Sequence, residues 1–120
     1  MKEIKKILRL PKIAYFETHL SIINCILPKK MTPTEIKVMA AFMCLEGDVA
    51  QYRFGPTAKK IVMNVVNPEK PLTPAGLSNH IGSLIDKGFL LKSNGITTIL
   101  PILMPEEKEQ LYMFKLQNLS

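Results

Sequence analysis

The dipeptide Asn94-Gly95 constrains this chain more than any other local feature. Asn-Gly is the favoured pair for a two-residue type I′ hairpin, whose central residues must both take positive φ. Short runs of extended character, residues 89–92 and 96–100, flank it. Directly upstream, Gly88 supplies the left-handed stop of a helix over residues 75–87 that opens at Thr73-Pro74. A helix, a glycine stop and a tight hairpin therefore follow one another without a linker.

The segments before that unit carry their own punctuation. Ile13, Phe16, Leu20, Ile23 and Leu27 recur at steps of three and four, the helical period, until Pro28 stops the run. Thr32-Pro33-Thr34-Glu35 is a capping box: Thr32 accepts from free backbone N–H groups, Pro33 fits the first turn, and Glu35 reaches back. The helix that follows, to about Leu45, has one stripe of Ile36, Met39, Ala40 and Met43 and a second of Val38, Phe42 and Leu45. Two apolar stripes predict a central helix buried from two sides. Glu46-Gly47-Asp48 ends it.

Residues 51–54 read as a short strand closed by Gly55-Pro56. Thr57 is the expected cap of a helix over residues 58–66, with Ile61, Val62 and Val65 inward, and Asn67-Pro68-Glu69-Lys70-Pro71 breaks the chain rigidly. At the N-terminus, residues 1–12 form either a basic arm or an edge strand, with Lys2, Lys5, Lys6, Arg9 and Lys12 against Glu3. At the other end, Pro105-Glu106-Glu107 sets acid at the positive end of a predicted last helix, residues 106–117, through Leu111, Phe114 and Lys115.

From Thr32 onward the order helix, strand, helix, turn, helix, hairpin resembles the winged helix-turn-helix, and residues 32–103 carry the resemblance. Ser78, His80, Ile81, Leu84, Lys87, Gly88 and Phe89 stand where that family often has Ser-x-His-Ile-x-x-Leu-x-x-Lys-Gly-apolar. The run MTPTEIKVMAAF is similar to the helix preceding the DNA-binding pair in MarR-type regulators. The resemblance implies an α+β, mainly helical fold: a winged helix-turn-helix with an N-terminal and a C-terminal helix, residues 13–120 forming one domain. It also implies sequence-specific binding of double-stranded DNA, regulation of transcription, and a homodimer held through the terminal helices.

Helical geometry sorts the residues of the reading helix. Leu77, Ile81, Leu84 and Ile85 share one face and belong to the core. Ala75, Asn79, Gly82, Ser83 and Asp86 lie opposite. Asn79 has the side chain for a bidentate contact with adenine, and Ser78 and Ser83 reach bases or phosphates. Gly82 permits close approach. This helix has no arginine and Asp86 repels phosphate, so positive charge must come from Lys59, Lys60, Lys70, Lys87, Lys92 and Arg53, with Thr73 and the wing-tip Asn94 beside the backbone. A net charge of +6 is in keeping with an acidic partner.

The uncharged reading face raises a second expectation, a winged-helix module for protein assembly, such as a viral accessory, packaging or replication component. In that case the apolar outgoing side of the wing, Ile99, Leu100, Ile102 and Leu103, packs on another subunit.

Catalysis finds no constellation. Ser78 and His80 are two apart on a helix, so their side chains diverge by roughly 200°, and the histidines, His19 and His80, have no accompanying carboxylate cluster. No metal site, cofactor or catalytic residue is expected. Cys25 and Cys44 lie in apolar segments without CxxC spacing, which predicts free buried thiols. Apolar runs fall short of the ~20 residues of a spanning helix, and Arg9, Pro11, Lys12 and Glu17 interrupt any signal-peptide core. The expectation is an intracellular protein, of cytoplasm or nucleoid, without a membrane partner.

Overall fold

Thr32 does what its sequence context demands. In a computed structural model that describes residues 3–51, 53–105 and 108–119, its hydroxyl accepts from the Glu35 N–H at 3.2 Å while the Glu35 carboxylate accepts from the Thr32 N–H at 2.7 Å. This capping box opens helix α2, Pro33–Met43. Helix α1, Lys12–Asn24, precedes it, and α3 (Asp48–Gln51), α4 (Pro56–Val66) and α5 (Pro74–Asp86) follow. Strands β1 (Leu90–Ser93) and β2 (Ile96–Ile99) and a 3-10 turn, Pro101–Leu103, complete the described elements. The chain is a small α+β domain, about half helical with one two-stranded antiparallel sheet.

Helix α2 is the axis of the core. Val38, Met39, Ala40, Ala41, Phe42 and Met43 are all buried, because α1, α4 and α5 each pack against it. Leu20 from α1, Val62 from α4, and Leu77 and Leu84 from α5 close around them. The Phe54 ring lies 4.4 Å, centroid to centroid, from that of Phe42. From the hairpin side come Phe89, Leu90, Ile99 and Leu103. The two apolar stripes of the α2 sequence thus become contacts with different neighbours.

The hairpin follows its turn chemistry. Asn94 and Gly95 take φ of 53° and 76°, the double positive φ of a type I′ turn, and Leu90 pairs with Ile99 and Ser93 with Ile96. Gly88, at φ 84°, ends α5 and turns the chain so that the Phe89 N–H bonds the Leu84 carbonyl at 2.9 Å.

Several expectations are corrected. No strand forms at Gln51, Arg53 or Phe54: Gln51 ends α3, Arg53 and Phe54 lie in a turn, and Tyr52 of the expected strand lies outside the described residues. Phe54 is drawn inward onto Phe42, whereas a strand here would have laid the segment along the sheet. Helix α4 begins at Pro56 with Gly55 as its cap, so Thr57 sits within the first turn, and Ala58 and Val62 face the core while Ile61 and Val65 stand exposed. Residues 3–11 form no strand, and Lys12 already belongs to α1.

No helix forms over residues 108–119, where Leu111, Met113, Phe114, Leu116 and Leu119 are exposed; Glu106 and Glu107 of the expected helix lie outside the described residues. A short helix in water needs an apolar face docked on the core, and this segment is tied instead through Tyr112. Cys25 is an exposed free thiol and Cys44 a half-buried one, so neither is the buried thiol expected. Ile99 and Leu103 are buried in the chain's own core, so only Ile102 of the outgoing apolar residues is widely exposed. Among the described residues no helix is long and apolar enough to cross a membrane.

Candidate nucleic-acid interface

Helix α5 presents two sides. Its buried side rests on Leu77 and Leu84, with Ile81 and Ile85 half-buried against the same cluster. Thr73 caps its start, the hydroxyl accepting from the Gly76 N–H at 3.0 Å, and an added Cβ on Gly76 would come within 3.1 Å of that oxygen. The exposed side carries Ala75, Ser78 and Asn79 in the first two turns and Asp86 at the end. Gly82 is half-buried with open space about its Cα. Lys92 and Asn94 are exposed on the hairpin, and Lys60 is exposed and Lys59 half-buried on α4. Lys70 is exposed in the connection between α4 and α5.

Ser83 and Lys87 belong to a different constellation. The Ser83 hydroxyl donates to one oxygen of the Glu35 carboxylate at 2.7 Å, and the Lys87 ammonium donates to the other at 2.6 Å. Lys87 also donates to the Lys30 carbonyl oxygen at 2.9 Å. Glu35 is 2% exposed. Burial alone would raise its pKa, but hydrogen bonds from Lys87, the Thr32 backbone and Ser83, with the charge of Lys87, outweigh that and hold it at about 2. Their bonding to this carboxylate departs from the contact role expected of Ser83 and Lys87: the hydroxyl donor of Ser83 and two of the three N–H donors of Lys87 are committed inside the fold. The remaining exposed polar face of α5 has no cation.

Lys12 is engaged within the fold, and Arg53 is partly withdrawn from water. Lys12 pairs with Glu46 and donates to the Cys44 carbonyl oxygen at 2.9 Å. Arg53 is half-buried, and desolvation pushes its pKa down from the usual arginine value.

Sequence reasoning also passed over His19. This buried ring has Nε2 2.9 Å from the Leu103 carbonyl oxygen, which can only accept, so Nε2 carries the hydrogen. In the neutral ring Nδ1 then accepts from the Tyr112 hydroxyl. A cleft of about 330 Å³ opens beside the pair, walled by Ile23, Pro101, Ile102, Met104, Gln110 and Leu111 as well. The apolar period of α1 pointed to Leu20 and Ile23 but says nothing of a tail 93 residues away that meets His19.

Burial lowers the His19 pKa, and the Leu103 carbonyl only partly opposes this. The folded protein therefore resists a proton that the unfolded chain accepts below about 6.5. Stability is fully present above that pH and declines as pH falls through the depressed folded value. Urea unfolding at pH 8 and pH 5.5 should show this loss in the wild type and a smaller one in His19→Gln. Equal losses in both would exclude His19 as the source.

Comparison with protein-family models, with curated proteins and with solved structures finds no match for this chain.

Proposed function

We propose that this chain is a winged-helix protein that binds duplex DNA with α5 in the major groove and regulates transcription. The observation that carries this reading is the exposed first half of α5, with Ala75, Ser78 and Asn79, on a helix locked at both ends and continued by a type I′ hairpin. Asn79 reads adenine through its amide, and Thr73 and Ser78 donate to phosphates. Lys59, Lys60, Lys70 and Lys92 supply the charge that α5 lacks. As a homodimer the protein would read half-sites ~34–36 Å apart.

The double variant Lys59→Glu, Lys60→Glu tests the electrostatic half. Each lost phosphate contact flattens the salt dependence by ~0.9 log units per log of salt, so titration of labelled duplex at two salt concentrations should show weaker binding and a shallower slope. Wild-type protein that binds no duplex even at low salt sinks the reading.

The second reading, a module for protein assembly, is favoured by the apolar side chains exposed at both ends: Ile4, Ile7 and Leu8, and Leu111, Met113, Phe114, Leu116 and Leu119. Surfaces of that kind mark interaction sites. With Ile99 and Leu103 in the core, the substitutions that separate this reading fall on Ile102, Phe114 and Leu116. They would break a partner complex while leaving DNA affinity unchanged.

A further inference from the structure

We infer that Glu35 is a positioning residue for α5, setting the orientation of the reading helix through Ser83 and Lys87 without itself touching the ligand. This rests on the DNA reading of α5. The carboxylate stands at the third position of α2, anchored there by the Thr32 N–H, and Met31 and Val38, four residues before and three after it, are buried. Ser83 and Lys87 are four residues apart and so occupy one side of the last turns of α5. Each takes a different oxygen of the same carboxylate. The second bond of Lys87, to the Lys30 carbonyl, ties in the loop before α2. One buried group therefore joins the loop, the first turn of α2 and the end of α5, immediately before Gly88 turns the chain into β1.

The apolar contacts of α5 do not set this orientation alone. Leu77 and Leu84 are its fully buried residues, with Ile81 and Ile85 half-buried beside them, and apolar burial is non-directional, so it resists a small roll of the helix less than hydrogen bonds do. Directional bonds to a fixed carboxylate oppose the roll. A roll of about 15° moves a side-chain tip ~5–6 Å from the helix axis by roughly 1.5 Å, which takes a base-edge hydrogen bond out of range. Phosphate attraction changes little over that distance. Loss of the network should therefore reduce discrimination between sequences more than it reduces overall affinity.

The test uses the full chain and two labelled duplexes of equal length, one enriched by random-site selection on the wild type and one with that sequence scrambled. Lys87→Met is expected to lower the affinity ratio between them by about tenfold, with little change in scrambled-duplex affinity or in the salt slope. Lys87→Arg, which restores the charge and donors, should recover most of the ratio. Because Lys87→Met leaves a buried carboxylate without its cation, Ser83→Ala is measured in parallel. It keeps the ion pair and should show the same selective loss at smaller amplitude, with a wild-type circular dichroism spectrum at the assay temperature.

A slope shallower by ~0.9 in Lys87→Met would make Lys87 a direct phosphate contact and overturn the positioning role. So would equal weakening on both duplexes, or an unchanged ratio in both variants. Wild-type protein that prefers no sequence fails at an earlier step and overturns the DNA reading itself.

Discussion

Glu35→Ala is expected to lower the free energy of unfolding by about 3 kcal/mol in urea titrations near neutral pH, the low end of what is seen when one partner of a buried ion pair is removed, because the Lys87 left behind is 26% exposed. Alanine withdraws the acceptor from Lys87, Ser83 and the Thr32 N–H together. The Thr32 hydroxyl still caps the residue-35 N–H, so only the carboxylate half of the capping box is lost. The contrast that makes the result informative is the triple variant Glu35→Met, Ser83→Ala, Lys87→Met. With Glu35, Ser83 and Lys87 all replaced, no charge is stranded and only the Thr32 N–H loses its acceptor, so most of the loss should be recovered. A loss below about 1 kcal/mol for Glu35→Ala would match a solvated surface pair instead, contrary to the 2% exposure of Glu35.

The second large effect is on acid stability. Folding lowers the Glu35 pKa from 4.5 to about 2. Between those values the unfolded chain binds a proton that the folded chain refuses, so stability falls as pH falls. The contribution is fully present above pH 4.5 and is lost progressively down to pH 2. At 1.36 kcal/mol per pKa unit it amounts to about 3 kcal/mol. Unfolding free energies at pH 6 and pH 2.5 should differ more in the wild type than in Glu35→Gln, which has no carboxyl to titrate. A Glu35 carboxyl resonance titrating in the folded protein near 4.5 would refute the account. The His19 contribution starts to decline at higher pH, below about 6.5.

These two effects centre on a residue whose sequence context revealed half of its role. Thr32, Pro33 and Glu35 announce a capping box, and the box forms. The spacing of Ser83 and Lys87 says only that they share a helix side. That Glu35 waits for them, 48 and 52 residues away in the chain, depends on how α2 and α5 cross. Ser78 and Asn79 remain exposed, whereas Ser83 gives its hydroxyl donor, and Lys87 two of its three N–H donors, to acceptors inside the fold. The candidate reading surface is correspondingly shorter and less charged than the sequence implied.

The differences at the ends of the chain have a related cause. Pro105 and the acids after it carry the local mark of a helix start, yet residues 108–119 form no helix. Start signals contribute only where an apolar face has something to cover. Residues 51–54 alternate like a strand, but Phe42 offers Phe54 an aromatic partner, and so short a run holds a weak preference.

What the sequence by itself determined is everything set within a few residues. Thr32 and Thr73 begin helices through their own hydroxyls, Gly88 stops one through its positive φ, and Asn94-Gly95 folds a hairpin. The apolar stripes of α2 also foretold a helix buried on two sides, because side-chain direction follows from helical period alone. Only the tertiary structure decided which polar groups meet: Glu35 with Ser83 and Lys87, and His19 with Leu103 and Tyr112. Those pairings rest on hydrogen bonds that act over about 3 Å between residues far apart in sequence, so they exist only once the helices have packed.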